Sequence, residues 1–350
     1  MLPVSRATVD EATADAQIPE LERQITLTEN EISVLLGKNP GPIQTNANLL
    51  TETVPPEVPA GQNPPDGAMI DYLLGAGTTG PVVLEISDGS GKVIRRFSSA
   101  DQPVPVDEKD LNVPTYWIRP QRTLATSPGM HRFVWNLRLP PPDALEHEYP
   151  ISAIPGDTPR GPEGPAVLPG EYRISLAVDG KTYTRALRVQ MDPRVKSSAS
   201  DLAKQFELET QIVGAMHQDY VAITQVRSLR AQLKRVQPEG KLEELAPALK
   251  ELDSKAAALE GDGSGGTYLS TPEGSSLTKL NEGLSTVLGT VDSADVAPTT
   301  QAIAMFAKLQ RTLEEKVKTW SELQSEAASL NARLKQAGAP ALDLSRTENP

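Results

Sequence analysis

The sequence predicts a multidomain α+β chain: a lone N-terminal helix, a β-sandwich and then a long antiparallel helical bundle. Three changes of hydropathy period predict it. Apolar residues recur at helical spacing from Ile18 to Leu36, alternate with a period of two between Ala68 and Val189, and return to helical spacing from Leu202 to Leu334. A length of 350 residues suits this division, because single cores rarely grow beyond roughly 150 to 200 residues. The expected boundaries are 1–61 for the helix and a proline-rich connector, 62–193 for the sandwich, 194–342 for the bundle and 343–350 for a tail.

The first helix rests on Ile18, Leu21, Ile25, Ile32 and Leu35, with polar residues between them. Gly37 supplies a C-cap and Pro40 lies just beyond. An amphipathic helix with no partner is marginal in water, so residues 1 to about 60 are expected to be loosely attached.

In the second region, Phe133, Trp135, Leu137 and Leu139 alternate with Arg132, Val134, Asn136 and Arg138, the pattern of a strand with one buried face. Tyr172, Ile174, Leu176 and Val178 repeat it. Asp179-Gly180 fits a type I′ turn into a return strand carrying Tyr183, Leu187 and Val189. Pro81 to Ser87 and Lys92 to Ser98 form a second hairpin around Asp88-Gly89-Ser90-Gly91, and Met69 to Leu74 and Tyr116 to Ile118 read as further strands. Short strands with Gly and Pro turns argue for an immunoglobulin- or fibronectin-like sandwich. The Pro- and Gly-crowded loop 140–170 is too long for a compact domain unless it is disordered or shaped by a neighbour.

The bundle helices follow four stripes. Leu202, Phe206, Val213, Met216, Tyr220, Ile223, Val226, Leu229 and Leu233 trace the first, entered through Ser198 or Ser200 as N-cap. Leu242, Leu245, Leu249, Leu252 and Leu259 trace the second, and Leu277, Leu280, Leu284, Leu288 and Val291 the third. Ile303, Phe306, Leu309, Leu313, Val317, Trp320, Leu323, Ala327, Leu330 and Leu334 trace the fourth. At about 1.5 Å per residue the outer two reach about 55 to 60 Å and the middle two about half that. The simplest arrangement is up-down-up, with the middle helices end to end and interrupted by Gly261 to Gly274; a four-helix bundle with unequal helices is the alternative.

Composition narrows the chemistry. A net charge of -12 opposes nucleic-acid binding, and no apolar run approaches the roughly 20 residues of a membrane-crossing helix. With no cysteine, disulfides, thiolate metal sites and cysteine nucleophiles are excluded. His131, His147 and His217 lack metal-ligand spacing and read as solvent-edge residues. Gly75-Ala76-Gly77 does not complete a dinucleotide fingerprint, and there is no nucleophile elbow or Walker loop. Glu146 and Glu148 are a candidate carboxylate pair for glycoside hydrolysis, but among 46 acidic residues they read as solvated. Tyr116, Trp117 and Trp135 could stack on sugars; Trp135 and Trp320 sit on apolar stripes and read as core. No catalytic, cofactor-binding or metal-binding residue is therefore assigned, and no cofactor is expected.

Two stretches resemble two families. Pro19-Glu20-Leu21-Glu22-Arg23-Gln24-Ile25, Thr28-Glu29-Asn30 and Leu35-Leu36-Gly37-Lys38-Asn39-Pro40-Gly41-Pro42-Ile43 resemble outer-membrane efflux proteins of tripartite drug pumps, over residues 4–61. From Gln62-Asn63-Pro64-Pro65-Asp66-Gly67-Ala68 to about residue 342 the chain resembles the C-terminal region of exported bacterial proteins with BNR or Asp-box propellers, sortilin-like and often named glycosyl hydrolases. Gly129-Met130-His131-Arg132-Phe133-Val134-Trp135-Asn136-Leu137, Leu168-Pro169-Gly170-Glu171-Tyr172 and Met191-Asp192-Pro193-Arg194-Val195 carry that likeness. The propeller repeat is missing from this sequence, so the resemblance implies a non-catalytic structural or protein-interaction appendage in an apparently fused or truncated frame. The alternatives are a sialidase-like hydrolase and an efflux component. A protein partner or the propeller itself is the expected partner, with no nucleic acid and no direct membrane insertion. The resemblance implies a periplasmic or extracellular home, whereas the absence of a signal at Met1 to Thr13 predicts a chain retained in the cytoplasm.

Overall fold

The computed structural model describes residues 66–103, 111, 113–118, 123–149, 158–236, 240–261 and 276–347. The chain divides into two compact units, Met1–Pro64 and Pro65–Pro350, and the described residues belong to the second. The expected helix 18–36, its connector and most of the Gly-rich interruption lie outside them. The described part is α+β, with two antiparallel sheets followed by four α-helices.

Strands β1 (Ala68–Leu74) and β4 (Gly129–Trp135) form a two-stranded sheet. Strands β2 (Val83–Ser87), β3 (Val93–Ser98), β5 (Gly170–Val178) and β6 (Lys181–Val189) form the other, in the order β3-β2-β5-β6. Strands β1, β2 and β4 bury alternate side chains because successive Cβ atoms point to opposite faces. Ile70, Tyr72 and Leu74 from β1, Leu84 and Ile86 from β2, and Phe133 and Trp135 from β4 meet in one core. Ile174, Leu176 and Val178 of β5 pack against it, and the Tyr172 ring stands edge-on to Trp135 at 6.0 Å. The β5–β6 turn has the expected geometry, with φ of 47° at Asp179 and 73° at Gly180. The Asp179 carboxylate accepts from the Gly80 amide at 2.8 Å, tying that turn to the β1–β2 connection.

One expected strand is absent. Thr115–Trp117 forms a single 3-10 turn in which Trp117 N–H donates to the Pro114 carbonyl at 2.9 Å. Pro114 and Pro120 flank the segment, and proline cannot supply the amide that a ladder needs.

The helices are α1 (Ala199–Arg235), α2 (Ala246–Glu260), α3 (Leu277–Val291) and α4 (Thr300–Gln336). Ser198, of the two candidate caps, accepts from the Asp201 amide; Ser276 and Thr299 cap α3 and α4 in the same way. The second stripe is not one helix. Gly240–Leu245 is a 3-10 segment, and Pro247 in the first turn of α2 cannot donate backward to extend it. Ile303 departs from its stripe and is 48% exposed, while its neighbour Ala302 is buried in its place.

Directions follow from side-chain contacts. On α1, Arg230 meets Asp253 and Glu260 of α2, Arg227 meets Glu260, and Gln205 reaches the carbonyl of Val291 at the end of α3. The end of α2 touches the start of α3, where Thr278 Oγ1 donates to the Glu260 carbonyl at 2.8 Å. Trp320 of α4 donates its indole N–H to Gln225 of α1 at 2.9 Å, and Lys255 of α2 pairs with Glu326. Among the described residues no helix is long and apolar enough to cross a membrane.

Candidate functional site

The loop after β4 joins the sheets to the helices. At Trp135 the strand ends, and Leu137 takes a left-handed conformation (φ 58°), which costs a non-glycine residue on the order of 1 kcal/mol. That turn is held from both sides: the Trp135 indole donates to the Arg138 carbonyl at 3.0 Å, and Val167 N–H donates to the Leu137 carbonyl at 2.8 Å. The returning arm is packed backbone to backbone. A Cβ on Gly164 would lie 2.2 Å from the Pro140 carbonyl oxygen, so the crossing requires glycine. Further out, Ala144 enters the helical core, and Leu145 N–H donates to the Asn281 side chain of α3 at 2.9 Å. The described arms of the loop are therefore shaped by contact with the helices of the same chain.

Arg138 is the centre of the joint. Its Nη1 donates to Asp292, the C-cap of α3, and to the Gly164 carbonyl, both at 2.9 Å, while Nε lies 3.4 Å from Glu163. Across from it, α1 presents Gln205 and Glu209 one turn apart. The Gln205 amide donates to Glu209 at 3.1 Å, to the Val291 carbonyl at 3.0 Å and to the Ala294 carbonyl at 3.1 Å. It thus satisfies the Val291 carbonyl that the end of α3 leaves free. Arg138, Gln205, Glu209 and Asp292, with apolar walls from Leu202 and Phe206, line a cleft of about 220 Å³.

Electrostatics separate the carboxyls. Glu209 is 2% exposed, and burial, reinforced by the charge of Asp292, pushes its pKa up to about 7, against the opposing pull of Gln205 and Arg138. Burial also raises Glu163, and Arg138 partly offsets it. Deeper among the helices Asp219 is fully buried, and desolvation raises its pKa well above its ordinary value. Asn281 faces it, but neither carboxyl oxygen has a partner at hydrogen-bond geometry among the described residues. Burial thus favours the protonated form of Asp219 in the folded protein.

The residues singled out from sequence fall elsewhere. His131 contacts the Ser127 carbonyl at 2.7 Å, and His217 pairs with Asp143 at 2.6 Å on the surface. His147 is not a solvent-edge residue: it is half-buried, and burial together with Arg160 lowers its pKa. Among the described residues no three His, Asp or Glu side chains are grouped to hold a metal ion. Glu146 and Glu148 are both exposed, and Glu148 is engaged through its backbone with Gly161. Trp135 and Trp320 are core, at 0% and 3% exposure, and Trp117 is half-buried. Sequence reading passed over Arg138, Glu163, Gln205, Glu209, Asp219 and Asp292. The α1 members carried a signal: positions 202, 205, 209, 212, 216, 219, 223 and 226 alternate in steps of three and four, and polar residues on such a seam are conspicuous.

A half-protonated carboxyl beside a second carboxylate has the make-up of an acid–base pair. Here Asp292 and Glu163 are both committed to Arg138, and Glu209 to Gln205, so the same groups also serve as a structural lock. No family model, curated protein or solved structure matches the chain.

Proposed function

We propose that residues 62–342 are a non-catalytic structural and protein-interaction module, an immunoglobulin-like sandwich joined to an up-down-up bundle whose descending rod is broken between α2 and α3. The observation that carries this reading is the joint: Arg138, Glu163, Asp292, Gln205 and Glu209 are spent on one another and on helix-end carbonyls. Two sheets around one core support the sandwich, and the antiparallel order of contacts from Arg230–Asp253 to Gln205–Val291 supports the broken rod. The likeness to C-terminal regions of propeller-bearing exported proteins favours a role as an appendage in the envelope or outside the cell. The test is a screen of the purified chain against aryl glycosides and sialosides. No turnover is expected, and turnover abolished by Glu146→Gln or Glu148→Gln would overturn the reading.

One observation favours a second reading, a hydrolase of glycosidase type. Glu209, with a pKa of about 7, lines a cleft beside Asp292. In that case Glu209 would donate the proton and Asp292 would serve as base, and Glu209→Gln would remove all turnover while leaving the fold intact.

A further inference from the structure

We infer that the outer face of the β1–β4 sheet docks a second copy of this chain. Cross-strand partners on an antiparallel ladder share a face. The face turned away from Ile70, Tyr72, Phe133 and Trp135 therefore carries three rungs: Met69 with Val134, Asp71 with Arg132, and Leu73 with Met130. Its apolar members are unusually open, Met69 at 51% exposure and Leu73 and Met130 at 71% each. Between them Arg132 grips Asp71 through two hydrogen bonds of 2.7 and 2.8 Å. Single exposed apolar residues need no explanation, but contiguous ones around a fixed ion pair mark a contact surface.

The arrangement selects its occupant. A twofold axis parallel to the strands, placed between two such faces, lays β1 of one copy over β4 of the other, rung against rung. Leu73 then meets Met130 of the second copy, Met69 meets its Val134, and Asp71 meets its Arg132, with each contact made twice. Apolar faces apolar and acid faces base at every rung, as an isologous dimer requires. A partner of uniform charge would meet a like charge at the middle rung. Three rungs make a small interface beside the roughly 20 to 30 residues a side of a tight complex, so the expected dissociation constant is on the order of micromolar. Naming the partner rests on the interaction-module reading; a failure here is read in mass, and a failure of that reading in turnover.

The experiment is sedimentation equilibrium of the full chain from the low micromolar range upward, with circular dichroism confirming that each variant is folded. Wild type should dimerise, and Leu73→Glu should weaken the dimer by about tenfold or more, as expected for an interface anchor. Asp71→Arg alone and Arg132→Asp alone should each be monomeric, since like charges then meet across the axis. Mixed in equal amounts, those two variants should associate with each other, because every acid again faces a base. A wild-type monomer throughout the range would overturn the proposal and leave the face to another partner. A dimer indifferent to Leu73→Glu, or a mixture that stays monomeric, would overturn it as well.

Discussion

Replacing Glu209 by glutamine should stabilise the protein at alkaline pH and do nothing at acid pH. In the folded chain this carboxyl keeps its proton up to about pH 7, against an ordinary value of 4.5. Between those values the folded state binds more protons than the unfolded state, so stability falls as pH rises through the window and the whole penalty is present above it. At about 1.4 kcal/mol per tenfold, the gap amounts to about 3 kcal/mol, which is a ceiling. Water in the cleft screens the charge, and the new NH₂ group must find its own acceptor, so we expect about 1 to 2 kcal/mol at pH 8. Gln205 keeps its acceptor, since the amide oxygen replaces the carboxyl oxygen it now uses. Urea unfolding followed by far-UV circular dichroism at pH 4.5, 6 and 8 measures this. Other raised carboxyls, Asp219 and Glu163 among them, tilt both proteins alike, so the difference between the curves isolates Glu209. A difference independent of pH, or a variant less stable than wild type at pH 8, would refute the account of its burial.

Three further outcomes follow from the joint. Arg138→Met strands Glu163 and Asp292 and removes two hydrogen bonds; because these side chains are 22 to 25% exposed, the loss should be about 2 kcal/mol, not the roughly 3 to 5 of a fully buried pair, as read by the urea midpoint. Gly164→Ala should destabilise by about 2 kcal/mol or more, because the new methyl meets backbone oxygens of Leu139 and Pro140 and not a side chain that can swing away; a neutral result in thermal melts would place the loop arms further apart. His147 should titrate below 6.5 by NMR, and Arg160→Met should raise its midpoint; since the imidazole is depressed in the folded state, its contribution to stability is lost as pH falls through that midpoint.

Much of the fold was legible because periodicity reports burial. The β5–β6 hairpin could be placed from Tyr172, Ile174, Leu176, Val178 and Asp179-Gly180, and the stripe of α4 matches its buried residues except that Ile303 is exposed, Val317 is half-buried and Ala302 is buried outside the stripe. The α1 stripe was less well read. Phe206, Val213 and Tyr220 were assigned to its buried face, yet they are only half-buried, while Gln205, Glu209 and Asp219 are buried. Hydropathy alone cannot find a face that mixes apolar and polar groups, because the partners that neutralise the polar ones come from α3 and the β4–β5 loop. Arg138 was equally hidden: on a strand pattern it is an outward residue, and only the left-handed turn at Leu137 and a helix end 154 residues further along give it a purpose.

That separation has a consequence for a chain made from its N-terminus. Among the described residues every strand emerges from the ribosome before any α-helix, yet the β4–β5 connection finds Asn281 and Asp292 only after a further 136 and 154 residues. Until then Ala144 has no pocket and Arg138, though it has Glu163 nearby, lacks its Asp292 partner. The sheets must therefore wait, with that excursion unsettled, for the last third of the polypeptide. Nascent chains arrested before residue 276 should expose the excursion to protease, and those released beyond residue 300 should protect it, which makes the joint a late event in folding and a checkpoint on completion of the helices.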